Sequence, residues 1–249
     1  MRHYHLILAI SLPLAGLWLA SCKSGTTSPE QPGQLMPLAV GNYWVYDSYE
    51  LDSNYKRTGN KAYDSLYVGP SMALAGRTAY PVFHYNRDDT GYESFDTLYY
   101  SVDADGSLWQ YMSLSGEFQG VEVPTISARW VKVTTSGSES TWNVLTYSDT
   151  ITYSGIPLKI NLKVIGSKAG TEGITLQGKA YTAQRFSLTL TAEAAGGFAK
   201  FTSTVTESYI PGIGRAKSYT TTVMDIPLAG IKTKGGYESV LVRYRVAAK

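Results

Sequence analysis

The chain has 249 residues, 43% of them hydrophobic and 17% charged, with 22 Lys and Arg against 20 Asp and Glu. That balance excludes a disordered acidic or basic tail protein and a collagen-like repeat. One cysteine excludes an internal disulfide framework, and only one apolar run is long enough to engage a bilayer, which excludes a polytopic membrane protein.

That run opens the chain. Residues 1–22 read MRHYHLILAISLPLAGLWLASC. Arg2, His3 and His5 make a weakly basic start, and Leu6 to Leu19 is apolar but for Ser11 and Pro13. The stretch is short for a spanning helix and right for a secretory signal core. Leu19-Ala20-Ser21-Cys22 resembles the lipobox of bacterial lipoproteins at all four positions. The resemblance implies cleavage between Ser21 and Cys22, palmitate-type acylation of Cys22 and attachment to membrane lipid. Two or three acyl chains hold a protein stably to a bilayer, whereas one does so marginally. Lys23 follows the cysteine where an inner-membrane retention signal would place Asp. By resemblance this implies the outer membrane. The lack of an acidic run after Cys22 favours its periplasmic face over the cell surface.

Residues 1–21 are therefore expected to be a signal peptide, and 22–37 an acylated cysteine with a flexible tether. The tether sequence, KSGTTSPEQPGQLMP, is too polar and too rich in Ser, Thr, Pro and Gly to bury a core.

Residues 38–249 are expected to form one all-β domain. Its fold class is a single antiparallel, strongly curved sheet, as a half-barrel, open barrel or sandwich, with no substantial helix after the signal peptide. Twenty tyrosines, and still more threonines, suit half-buried pleated surfaces. Turn signals recur at Asp52-Ser53-Asn54, Arg87–Gly91, Asp103–Gly106, Ser115-Gly116, Ser136-Gly137-Ser138, Lys168-Ala169-Gly170, Ala195-Gly196-Gly197, Pro211-Gly212 and Lys234-Gly235-Gly236. A short turn of helix is expected near Met72 to Leu74.

Between the turns the period is two. Ile160, Leu162 and Val164 alternate with lysines and Asn161; Phe186, Leu188 and Leu190 alternate with Ser187, Thr189 and Thr191. Val240, Val242, Tyr244 and Val246 are expected on one face, with Arg243 and Arg245 on the other. Pro211, Gly212 and Gly214 read as a structural turn: Pro presets φ at the second turn position, and Gly accepts positive φ at the third.

Charge is unevenly spread. Residues 23–140 carry 8 basic and 14 acidic residues, and 141–249 carry 13 basic and 6 acidic. Either the two halves complement each other across strands, or the basic half meets an anionic polymer or lipid surface.

Catalytic chemistry is scarce. With the signal removed, His84 is the remaining histidine, and with Cys22 acylated no soft metal ligand joins it. His84 is expected as an exposed strand residue beside Tyr85. No nucleophile elbow is present, Gly212–Ser218 departs from both phosphate-loop patterns, and Asp103–Gly106 lacks the later ligands of a calcium loop. No metal, cofactor or nucleic acid is expected, and no enzyme; a carboxylate-based glycoside hydrolase is the enzymatic alternative. The aromatics are the remaining signal. Trp44, Tyr46, Trp109, Trp130 and Trp142 either form the core or line a ligand surface.

Pro37–Tyr46, with its Leu-x-x-Gly-x-x-Trp-x-Tyr stretch, Tyr209–Gly214 and Glu238–Leu241 resemble a group of uncharacterised outer-membrane lipoproteins of Bacteroidota-type bacteria. The resemblance implies an envelope lipoprotein with a non-enzymatic binding or structural role toward an envelope polymer, glycan or envelope protein. The alternatives are a carbohydrate-binding module of a surface glycan system and a lipid or hydrophobe carrier.

Overall fold

Strict alternation of apolar and polar residues cannot sit on a helix, but it gives a strand one core face and one wet face. The computed structural model describes residues 34–118, 121–153, 156–194, 197, 199–227 and 230–247. The signal peptide, the Ser21–Cys22 cleavage site and tether residues 22–33 lie outside the described residues. The first strands are β1 (Tyr43–Leu51), β2 (Arg57–Val68), β3 (Met72–Leu74), β4 (Arg77–Asp88), β5 (Glu93–Val102), β6 (Leu108–Phe118) and β7 (Val121–Lys132). Longer ones follow: β8 (Thr141–Tyr153), β9 (Ile156–Leu176), β10 (Lys179–Ala194), β11 (Ala199–Ile210), β12 (Gly214–Ile226) and β13 (Ile231–Arg245). No α-helix occurs among the described residues.

The strands form one antiparallel sheet, ordered β7-β6-β5-β4-β2-β1-β13-β12-β11-β10-β9-β8, with β3 paired to β4 alone. The last strand closes onto the first, and the sheet curls into a barrel that is nearly closed, with a seam. The seam falls between β7 and β8. There the chain peels away with Val133 and Thr134 N–H both bonded to the Leu108 carbonyl, at 2.9 and 3.2 Å. Trp142 Nε1 donates across the seam to the Lys132 carbonyl at 2.9 Å. In the connecting loop, Thr135 and Lys132 bond Glu139 and pull its carboxyl down to about 2.

The core fills one end of the barrel. Trp44, Tyr46, Leu66, Val68, Val82, Leu108, Phe186, Tyr209, Ile213 and Leu241 meet there. Leu35, Met36 and Leu38 plug that end, each 3–4% exposed. Residues 34–37, expected to belong to the tether, are therefore packed against the barrel. Leu35 and Met36 bury apolar surface worth about 1.5–3 kcal/mol each, and the Gln34 carbonyl accepts from Gly212 N–H at 3.0 Å.

Several expected turns are genuine: Gly91 N–H bonds Asp88 O, Gly106 N–H bonds Asp103 O, and Ile213 N–H bonds Ile210 O. Others are not. Ser115-Gly116 lies within β6, and Gly235-Gly236 within β13, where a Cβ at Gly236 would collide with the Thr220 carbonyl. Lys168-Ala169-Gly170 is a bulge inside β9; Gly170 takes φ 84°, and the pairing to β10 shifts between Gln184 and Phe186. Met72–Leu74 is a strand rather than a helical turn. It pairs with β4 through a two-residue hairpin whose centre, Ala75 and Gly76, has φ 46° and 78°.

The expected face of β13 is also corrected. The register between β1 and β13 shifts at Val45/Tyr46, so Leu241 enters the core and Val242 is left 39% exposed. The two charge halves do not complement each other either. Among the described residues, Arg57–Glu238 is the one ion pair that joins them; the others, such as Lys61–Asp47 and Lys232–Asp225, stay within a half.

At Ile210–Ile213, Gly212 has φ 77°, and β11 and β12 pair antiparallel across the turn. Gly212→Val forces an L-residue into left-handed space and is expected to cost about 1–2 kcal/mol. A thermal melt reads this directly. Unchanged stability would mean that the turn tolerates a side chain.

Candidate functional site

On β2 the inward residues are Asp64, Leu66 and Val68, so Tyr63 and Tyr67 face out. Cross-strand register extends this outer face: Tyr67 pairs with Phe83, Ser65 with Tyr85, and Tyr85 with Phe95. Tyr63 is 52% exposed, Tyr67 47% and Phe95 69%. The Tyr67 and Phe83 rings lie 6.4 Å apart at 16°, and Phe83 and Phe95 lie 6.1 Å apart at 19°. Three strands thus carry a row of nearly parallel rings. Soluble proteins rarely leave such a contiguous apolar patch in water without a use for it.

A groove of about 460 Å³ borders the row, lined by Lys61, Tyr63, Tyr85, Arg87, Asp88 and Asp89. Lys61 Nζ sits 2.9 Å from Asp47 and 5.2 Å from the centre of the Tyr63 ring. Arg87 approaches Glu93 at 3.7 Å, and Glu93 raises the pKa of the Tyr85 hydroxyl beside it. Asp88 Oδ1 accepts from the Thr90 hydroxyl at 2.7 Å and from Thr90 N–H and Tyr92 N–H at 3.0 and 2.9 Å, which holds its carboxyl below the usual range and fixes the hairpin.

A second polar group occupies the barrel interior. Asp64 accepts from Asn86 Nδ2 at 2.7 Å, from His84 Nε2 at 2.9 Å and from the Ser48 hydroxyl. Burial pushes the Asp64 carboxyl up, but the bonds from His84, Ser48 and Asn86 outweigh it and hold the pKa down. His84 therefore points inward, and the expectation of an exposed strand residue is corrected: the β2–β4 register puts it opposite Leu66.

Beside this group, Arg215 Nη1 donates to Glu207 Oε1 at 2.8 Å and the Tyr209 hydroxyl donates to Glu207 Oε2 at 2.6 Å. The Arg215 guanidinium lies 4.9 Å from the centre of the Tyr46 ring. Burial raises the Tyr46 hydroxyl to about 12 and raises Tyr100 and Tyr209 as well. Asp64 and Glu207 thus each have both oxygens engaged by the protein itself. Among the described residues no group of three metal-ligating side chains occurs.

The residues singled out from sequence do not assemble into one site. Trp44 is fully buried and donates to the Ile213 carbonyl at 2.6 Å. Tyr46 is fully buried and donates to the Arg215 carbonyl at 3.0 Å. Trp142 packs edge-on to Phe186 over Gly166 at the seam. Trp109 and Trp130 are on the outer face, where Arg77 lies 4.1 and 5.9 Å from their ring centres. Trp109 also bonds Asp103, and Trp130 bonds the Leu74 carbonyl. The row of Tyr67, Phe83 and Phe95 and the exposed Tyr63 of the groove beside it were not among the residues singled out. Their signal was present in Tyr63-x-x-x-Tyr67 of β2, which places both rings on one face of a strand.

No protein-family model matches the chain, and no curated protein matches it. Two solved structures do. One is a chain from Parabacteroides distasonis described as a lipoprotein, with 10% identity and a TM-score of 0.51, over 86% of this chain and 99% of that one. The other is an exported protein of Bacteroides fragilis described as having a YmcC-like fold, with 10% identity and a TM-score of 0.46, over 85% of this chain and 98% of that one. At such identity the Parabacteroides likeness is one of fold.

Proposed function

We propose that this protein is a lipid-anchored protein of the bacterial envelope that binds saccharide on the outer aromatic face of β2, β4 and β5, without catalysis. The observation that carries the binding role is the exposed row of Tyr67, Phe83 and Phe95, with rings within 16–19° of parallel. The apolar surface these rings leave in water can contact the C–H groups of sugars, and the groove beside them supplies hydrogen-bonding groups. The anchor rests on the lipobox ending at Cys22, and the fold shared with a chain described as a lipoprotein supports it. The proposed location is the periplasmic face of the outer membrane. A non-enzymatic role is supported by Asp64 and Glu207, whose oxygens are already engaged. The charged mid-lumen argues against a hydrophobe carrier, which needs an apolar cavity.

Cys22→Ala is expected to abolish incorporation of an alkyne-labelled fatty acid and to release the protein from the membrane fraction. Stable membrane retention of the unlabelled variant would sink the anchor. Tyr67→Ala is the matching test of the binding face, because it removes a ring already 47% exposed and leaves the core intact.

A further inference from the structure

We infer that the plugged end of the barrel rests on anionic lipid headgroups, through the turn at Val40, the β3–β4 hairpin at Met72, and Arg243 with Arg245. This contact is separate from the saccharide face and rests on the anchor reading alone. Gln34 follows Cys22 by 12 residues, a span of about 40 Å at full stretch. Its carbonyl is bonded to Gly212 at the plugged end. An acylated Cys22 therefore holds this end nearest the bilayer.

Two apolar tips project there. Asn42, fully buried, ties the rim together: its Nδ2 donates to the Pro37 carbonyl at 2.7 Å and its Oδ1 accepts from Ala247 N–H at 2.8 Å. Its own N–H closes the Ala39–Asn42 turn, and Gly41 N–H bonds the Val68 carbonyl. Polar residues favour such turns, yet the tip is Val40, 56% exposed. Beside it, Gly69–Gly76 reads GPSMALAG without one charge. Met72, Ala73 and Ala75 are exposed, Met72 by 45%. Loops at the opposite end of β1, β2 and β4 are charged instead, as in Asp52–Lys56 and Asp88–Tyr92.

Uncommitted cations flank the tips. Register puts Arg245 opposite Tyr43 and Arg243 opposite Val45, on the outer face where β13 and β1 reach the rim. Both arginines are exposed, and neither makes an ion pair among the described residues. On the neighbouring β5–β6 hairpin, Asp103 is held by Arg77 at 2.5 Å, and the Asp105 carboxyl accepts from Ser107. Each arginine near an anionic leaflet is worth about fivefold in affinity, and exposed apolar side chains add their burial at the headgroup boundary. Location decides for lipid over a protein partner, because the anchor brings the bilayer to this end. The groove of Lys61 and Asp89 lies toward the other end of β2 and β4 and stays open.

The chain from Cys22 to Lys249 carries one thiol, which can be coupled to a maleimide lipid. The test then needs no cellular acylation, so failure of this surface is distinct from failure of the anchor, which fatty-acid labelling reads. Amide exchange is followed by mass spectrometry on vesicles of phosphatidylethanolamine with phosphatidylglycerol, and on phosphatidylcholine alone. Exchange in 38–41 and 69–76 should be at least about fivefold slower on the anionic vesicles, with 88–92 unchanged. Added salt, or Arg243→Gln with Arg245→Gln, should remove that difference, and Met72→Asp should remove protection on both lipids. Lys234→Gln, an exposed cation toward the opposite end, should change nothing. Equal exchange on the two lipids, or protection at 88–92 instead, would overturn the contact. Protection that grows with protein density whatever the lipid would show a second copy on the rim and overturn it too. Retention of the same chain on neutral and acidic polysaccharides, lost in Tyr67→Ala and kept in Met72→Asp, reads the saccharide face separately.

Discussion

Trp44→Ala is expected to cost about 3–5 kcal/mol, the usual range for removing a buried aromatic without collapse of the site. Trp44 is fully buried and sits where three parts of the chain meet. Its indole N–H reaches the Ile213 carbonyl at 2.6 Å, 169 residues away. Its ring packs against Gly214, whose φ is 120° and where a Cβ would come within 2.8 Å of the indole nitrogen. Loss of the ring therefore opens a cavity beneath the N-terminal plug and leaves a buried carbonyl without its donor. Urea unfolding with an unchanged slope and a lower midpoint is the expected signature. Trp44→Phe keeps most of the volume and loses the hydrogen bond, so it should fall between the wild type and Trp44→Ala. A Trp44→Ala cost below about 1 kcal/mol would mean that the plug and turn do not depend on this ring.

The second large effect is expected at Glu207. Its side chain is 18% exposed and that of Arg215 is 20% exposed, and Arg215 Nε has no hydrogen-bond partner among the described residues. Burial works against the charge on Arg215, but Tyr46, Glu207, Tyr100 and Tyr209 around it more than offset this, and its pKa is raised. Glu207→Ala removes the partner and strands that charge, at an expected cost of about 3–5 kcal/mol. The double variant Glu207→Leu with Arg215→Met should recover most of the loss, because a buried ion pair exchanged for packed apolar side chains is often neutral or stabilising. Chemical unfolding of the single and double variants measures both. Equal losses in the two would show that the guanidinium is hydrated through the lumen and that its charge is not the source of the cost.

The all-β class, the single curved sheet and the lack of α-helix followed from local pattern, because a period of two is written residue by residue. Phe186, Leu188 and Leu190 lie on one face of β10 as their spacing dictates, the first two against the main core and Leu190 against the smaller cluster of Ile126, Leu145 and Leu162. Glycine was a less reliable guide. The same residue makes a turn at Gly212, a bulge at Gly170 and a close backbone approach at Gly236; only the partner strand decides which. Two hairpins escaped notice because their centres, Ala75-Gly76 and Gln177-Gly178, put a residue other than Asn, Asp or Gly at the first position with positive φ.

The site depended on position in space even more. Each tryptophan carries the same apolar surface, yet Trp44 and Trp142 pack with the core while Trp109 and Trp130 stand outside. One register shift, at Val45/Tyr46, exchanges which of Leu241 and Val242 faces inward. His84 met Asp64 through the pairing of β2 with β4, across twenty residues of chain. Composition and alternation were thus enough for the class of fold, since each strand's two faces are set by its own residues. Which aromatics stay in water, and which carboxylates are already satisfied, depended on register between strands, a long-range quantity that no single window contains.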